Sequence, residues 1–165
     1  MQLKKTVSSA LVVLGIVGCA TAVQQSGTAS TSAPSGAMGL SPSNPFYAAS
    51  TLQYQAPPFD RIKVSDYEPA ILAGMQQQIA EVNGIANQAA APNFDNTIVS
   101  MERSGVLLTR AAKVFNTVAG ANTNDTLQAI QERVAPKLAE HNDKIYLNAK
   151  LYQRVKSVYD QRASA

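Results

Sequence analysis

Two side chains in this sequence have chemistry that singles them out at once: its one cysteine, Cys19, and its one histidine, His141. A thiolate can be a nucleophile or a metal ligand, and an imidazole can move protons or bind metal. Neither has the company those tasks require. A lone cysteine forms no internal disulfide, and zinc asks for three or four protein donors. His141 sits in Glu140-His141-Asn142-Asp143-Lys144. On a helix this spacing puts Glu140 and Asp143 on adjacent faces, which leaves a poor ligand set. His141 is therefore expected to be a solvent-facing helix residue, and Asp125, Glu132, Glu140 and Asp143 a solvated face. Ser104, in Arg103-Ser104-Gly105, lacks the G-x-S-x-G frame of a nucleophile elbow and reads as a helix-packing position. No glycine-rich phosphate loop occurs. No catalytic, metal-binding or cofactor-binding residue is assigned.

Cys19 has a different use. Lys4 and Lys5 form a short basic start, and Ala10 to Val17 is an apolar run. The run is too short to span a bilayer, which takes about 20 residues, and has the layout of a secretory signal peptide. It ends in Ile16-Val17-Gly18-Cys19. This resembles the lipobox of bacterial lipoproteins, in which the cysteine thiol accepts a diacylglyceryl group and becomes the new N-terminus. Each buried methylene contributes roughly 0.8 kcal/mol, so two or three acyl chains anchor stably where one would not. Ala20, rather than Asp, follows the cysteine, which resembles the default outer-membrane signal. Residues 1–18 are thus expected to be a signal peptide. The mature chain is expected to be exported and held by lipid on Cys19, at the outer membrane facing the periplasm.

The formal charge of +3 includes Lys4 and Lys5, so the mature chain carries about +1. Without a stripe of Lys and Arg interleaved with aromatics, nucleic-acid binding is not expected. Residues 19–43 comprise Cys19 and a Ser/Thr/Ala/Gly-rich, uncharged tract that cannot bury enough apolar surface to offset its ordering entropy. As a coil of some 24 residues it would span roughly 25–30 Å and act as a spacer.

Residues 44–165 have the pattern of an all-α domain. Pro45, Pro57 and Pro58 exclude regular helix at its start. Phe46, Leu52, Tyr54, Phe59 and Ile62 read as aromatic and aliphatic anchors of an extended strap lying across a helical body, with a short strand pair as the alternative. Ser65-Asp66-Tyr67-Glu68 has the form of a capping box with Pro69 in the first turn. Ile71, Leu72, Met75, Ile79, Val82, Ile85 and Ala86 then give a one-sided helix from about 66 to 90. Gly74 and Gly84 each weaken it by roughly 1 kcal/mol relative to alanine, pointing to close helix contact or to tolerance.

A second helix is expected from a cap at Asn93 or Asp95 to about Ala119, striped by Ile98, Met101, Gly105, Leu108, Ala112 and Phe115. A third starts from Asn124 or Thr123 and carries Leu127, Ile130, Val134, Leu138 and Ile145, with a kink near Pro136. A fourth starts at Asn148, with Leu151, Tyr152, Val155, Val158 and Tyr159 as its apolar positions. Short connections favour antiparallel hairpins or a small bundle.

The order of local motifs along this region is itself informative. Asn44-Pro45-Phe46, Ser50-Thr51-Leu52, Pro58-Phe59-Asp60-Arg61-Ile62, Tyr67-Glu68-Pro69-Ala70 and Gly74-Met75 form its first half. Phe94-Asp95-Asn96-Thr97-Ile98, Glu102-Arg103-Ser104-Gly105, Thr123-Asn124-Asp125 and Ile145-Tyr146-Leu147-Asn148 form the second. The series resembles the start of bacterial Dcp-type peptidyl-dipeptidases, members of the thimet oligopeptidase-like zinc metallopeptidases, and covers Asn44 to about Arg162.

The resemblance implies a two-lobed, mostly helical enzyme with a deep channel, one wall of which the N-terminal helices line. It also implies zinc held on the other lobe by H-E-x-x-H and a glutamate, and short peptides losing C-terminal dipeptides. This sequence departs from that pattern: with His141 as its one histidine, H-E-x-x-H is absent. The resemblance thus points to the membrane-tethered N-terminal helical part of such a peptidase, non-catalytic on its own. Its partners would be a catalytic domain it does not contain, or a second copy through self-association. A stand-alone lipoprotein that binds peptides or a partner is the alternative.

Overall fold

The computed structural model describes residues 39–162. The expected signal peptide, Cys19 and most of the expected spacer lie outside them. Among the described residues the fold is all-α: helices joined by turns, with no strand. The main elements are α1 (Val64–Asn87), a π-helical turn (Phe94–Val99) running into the short α2 (Ser100–Glu102), α3 (Val106–Ala121), α4 (Asp125–Tyr146) and α5 (Ala149–Gln161).

Helix α1 is the hub. It packs on α3, α4 and α5, while those three pack mainly on it rather than on one another. Its buried residues therefore surround much of the helix instead of forming one narrow stripe: Tyr67, Ala70, Ile71, Ala73, Met75, Val82, Ile85 and Ala86. The closest approach is at Gly74, where a Cβ would stand 2.6 Å from the backbone N and Cα of Leu108 on α3. Only glycine admits two backbones that near each other. Gly84, in the same helix, has open space where its Cβ would be. Of the two readings offered for these glycines, close contact holds at Gly74 and tolerance at Gly84.

Helix α1 begins earlier than its sequence suggests. Lys63, not Ser65, is the N-cap, and the Asp66 carboxylate accepts the Lys63 backbone N–H at 2.8 Å. Pro69 consequently falls in the second turn, and Glu68 reaches Arg133 on α4 instead of the cap, with Arg133 Nη2 donating to Glu68 Oε2 at 2.7 Å. The Asn side chains of the other caps act as expected. Asn124 Oδ1 accepts the Leu127 N–H at 3.0 Å, and Asn148 Oδ1 accepts the Leu151 N–H at 3.0 Å. Asn93 and Asn96 exchange reciprocal bonds of 2.8 and 2.9 Å at the start of the π-helical turn. Helix α4 continues through Pro136 as one element.

The second expected helix is broken in two. Gly105 adopts φ +70° and ψ +24°, the left-handed conformation that ends a helix, and α3 restarts at Val106. Gly105 was assigned to a continuous helical stripe; it is the turn between two helices. Its N–H donates to Glu81 Oε2 at 2.7 Å, so α1 holds the break in place.

The strap has fewer anchors than expected. Phe46 is buried, and its ring packs 5.8 Å from Tyr67, which lies 5.4 Å from Phe115. Such tilted aromatic pairs add about 0.5–1.5 kcal/mol each beyond area burial. Asn44 fixes the approach: its Oδ1 accepts the Phe46 N–H at 2.9 Å and its Nδ2 donates to the Asp66 carbonyl at 3.0 Å. An Arg110 guanidinium N–H on α3 donates to the Phe46 carbonyl. Leu40, inside the tract assigned to the spacer, is also buried in this core. Leu52, Tyr54 and Phe59, by contrast, are exposed, Tyr54 at 92%. Leu52 caps and Tyr54 sits within a 3-10 turn, Gln53–Gln55, in which Tyr54 and Gln55 both have positive φ, and Phe59 follows it. Pro57 and Pro58 come at once after the turn, so this stretch turns outward instead of lying flat on the helices.

Candidate functional site

His141 is not at the surface. It is only 4% exposed, and its Nε2 lies 2.8 Å from Gln78 Oε1 on α1. An amide oxygen accepts, so Nε2 carries the hydrogen and donates. The reason for burial is spacing: His141 stands seven residues after Val134 and four before Ile145, both buried on α4. It fills the gap in that stripe. Burial, with the Lys144 ammonium one turn away as a lesser cause, pushes the imidazole below its ordinary pKa and keeps the ring neutral at pH 7.

His141 lines a groove of about 510 Å3 between α1 and α4, with Leu72, Met75 and Ile79 as apolar floor and Lys137, Glu140 and Lys144 at the rim. Glu140 and Lys144 form an exposed ion pair at 2.7 Å. The Lys144 ammonium holds the Glu140 carboxyl below the usual range. Asp125, Glu132 and Asp143 are exposed, as the solvated-face reading requires. The four acids do not converge. Among the described residues there is no group of three or more His, Cys, Asp or Glu placed to hold a metal ion. The donor set around His141 is one imidazole already bonded to an amide, and it does not fit zinc. Ser104 Oγ donates to the Met101 carbonyl at 2.8 Å and closes the turn at Gly105; no base addresses it.

Other polar groups, half-buried or buried, tie the fold together. Glu81 takes the Gly105 N–H through one oxygen and a Gln77 side-chain N–H, at 2.8 Å, through the other. Arg154, on α5, is 7% exposed. Its Nη1 donates to the carbonyls of Gln88 and Ala90 at 3.2 and 3.0 Å, and its Nη2 to Asn96 Oδ1 at 3.0 Å. It pins the loop from α1 to the π-helical turn. Sequence reading missed Arg154, since a cation on an otherwise apolar helix face looks like a surface residue. A chain end rich in exposed carbonyls beside it was the available signal.

Because Leu151 and Arg154 face α1, the remaining apolar residues of α5 face away. Tyr152 and Tyr159 are each 59% exposed and Val155 37%. The sequence reading gave these three, with Leu151 and Val158, as the apolar positions of the helix; Leu151 is buried and Val158 half-buried, while the three are exposed. Tyr146 and Leu147, at the turn into α5, are 82% and 79% exposed.

No protein-family model matches the chain. Curated relatives do. The chain is 47% identical over 121 residues to a dipeptidyl carboxypeptidase of Escherichia coli K12, and 46% identical over 121 residues to one of Salmonella typhimurium LT2. Each match takes in 73% of this chain and 18% of the relative, so the chain spans less than a fifth of the length of these proteins. Over that stretch the chain is a homologue of the dipeptidyl carboxypeptidases (Dcp), and its helical segment corresponds to an N-terminal region of a Dcp-like peptidase.

Proposed function

We propose that this chain is the lipid-anchored N-terminal helical part of a Dcp-like zinc peptidyl-dipeptidase, and that it does not turn over peptides alone. The observation that carries the reading is the 47% identity over 121 residues, a match that takes in only 18% of the relative. Identity at that level supports a shared fold over the matched stretch, and with it the same architectural part. Zinc would supply the activated water and polarise the scissile carbonyl in a complete enzyme of this kind. The single histidine of this sequence cannot make the H-E-x-x-H pair that would grip it. The residues here would instead form and stiffen one wall of the peptide channel. The Ile16-Val17-Gly18-Cys19 motif supports export and acylation of Cys19, with the body facing the periplasm.

The purified full chain should release no C-terminal dipeptide from a blocked oligopeptide, with or without added zinc. Zinc-dependent turnover that a chelator abolishes would overturn the non-catalytic part of the reading. In cells, labelled palmitate should enter the chain and should be lost on Cys19→Ser. Unchanged labelling in that variant would end the anchor. The alternative, a stand-alone module that binds peptides, draws its support from the α1–α4 groove of about 510 Å3 with its apolar floor and lysine rim.

A further inference from the structure

The outward face of α5 is built unlike a surface that stays wet. Tyr152, Val155 and Tyr159 recur at i, i+3 and i+7, which sets them within about 60° of one another around the helix. Two of the three are 59% exposed aromatics, on a helix whose adjoining side is already used by Leu151 against α1 and by Arg154 against the loop that follows it. Tyr146 and Leu147 stand almost fully exposed at the turn just before it. The Arg162 guanidinium stacks 3.6 Å over the Tyr159 ring, and the Lys156–Asp160 ion pair flanks this face; tyrosine and arginine are both enriched at interface centres.

We infer that this face of α5 is the seat of the catalytic part of a Dcp-like chain. The inference rests on the family reading above. Two observations choose this occupant over a second copy. The relatives match over only 18% of their length, so in them a body more than four times larger is joined to this segment. The matched segment corresponds to an N-terminal region, so in the relatives the polypeptide leaves it by way of α5, which makes this helix the one joined most directly to that body. The occupying surface must offer apolar cover to the Tyr152, Val155 and Tyr159 rings and side chains. It must also offer hydrogen-bond acceptors for the tyrosine hydroxyls, which would otherwise be buried unpaired.

The test sets the chain beside the E. coli dipeptidyl carboxypeptidase whose matched 121 residues have been replaced by those of this chain. Hydroxyl-radical footprinting should label Tyr146, Tyr152 and Tyr159 readily in the isolated full chain. In the chimera the labelling of Tyr152 and Tyr159 should fall at least fivefold. The double variant Tyr152→Asp/Tyr159→Asp should leave the Tm of the isolated chain within about a degree and lower the Tm or activity of the chimera sharply. Equal labelling in the two proteins, or a variant without effect in an active chimera, overturns the inference while leaving the family reading intact. A chimera that does not fold overturns the proposal that this segment fills the same architectural part, and this inference with it. A dimer of the isolated chain that the double variant dissolves, with the chimera indifferent, makes a second copy the occupant and likewise overturns it.

Discussion

Substituting alanine for each of two glycines in α1 should change stability in opposite directions. Both glycines are helical, and at each the change removes backbone freedom from the unfolded chain and gains about 1 kcal/mol of helix propensity. At Gly84 nothing lies within 4 Å of the new Cβ, so that gain stands alone. At Gly74 the Cβ would meet Leu108 N and Cα at 2.6 Å, where ordinary contact begins near 3.4 Å. The obstacle is backbone, so no side chain can turn aside, and α3 must retreat by almost 1 Å. Such a gap forfeits a quarter to a half of the dispersion energy of the contacts it opens. It would open them for Leu107, Leu108 and Ala111, all buried against α1. The upper end of the overpacking range, about 3 kcal/mol, is appropriate. The net is a loss of about 2 kcal/mol for Gly74→Ala and a gain of about 1 kcal/mol for Gly84→Ala. At about 4 °C per kcal/mol for a domain of this size, Tm should fall by about 8 °C and rise by about 4 °C. Thermal melts followed by circular dichroism, with urea titrations at constant m-value, separate the two cases. A Gly74→Ala protein as stable as Gly84→Ala would show that α1 and α3 do not approach as described.

Phe46→Ala should cost about 3–5 kcal/mol, because the ring is buried between Tyr67 and its neighbours; a urea midpoint shifted by less than a quarter of that would remove Phe46 as the strap's anchor. Asn148→Ala should cost about 1 kcal/mol and Asn148→Asp much less, read by the same titration, since either side chain can accept the Leu151 N–H. For His141 the folded state holds the pKa below 6.5, so as pH falls the unfolded chain takes up the proton first. Stability should be level above about pH 7 and decline below about 6.5, no more steeply than about 1.4 kcal/mol per pH unit. His141→Gln should flatten that slope between pH 7.5 and 5.5; an unchanged slope in the variant would mean that another group carries it.

The all-α class, the caps at Asn124 and Asn148, and the principal helical stripes were legible because each rests on local chemistry that repeats along a helix. What was hidden depended on a neighbour. Gly105 fits a helical stripe in sequence and becomes a break only because Glu81, 24 residues earlier, takes its N–H. The strap was expected to spend five large side chains on the body. The body has room for Phe46, half covers Ile62, and leaves Leu52, Tyr54 and Phe59 outside. Periodicity finds a face; it does not say how many faces an element has. Helix α1 needs several because three helices pack on it, and α5 has a second that nothing in the described residues covers.

The candidate chemistry follows the same logic. His141 was read as an exposed side chain, and it is buried. A buried neutral imidazole donating to Gln78 joins α4 to α1 at the point where Gln78 also fills the space that a side chain at position 105 would need. The polar residues in the motifs that carry the family resemblance do comparable work. Asn44 pins the strap to α1, and Asn96 accepts from Arg154 on α5. Asn124 and Asn148 start the last two helices. Each of these side chains is engaged in a structural bond: one holds the strap on α1, one ties α5 to the π-helical turn, and two cap their own helices. A segment whose distinctive residues are spent on holding helices in register suits the rigid wall proposed for it, and on that proposal the chemistry beside the wall comes from other residues.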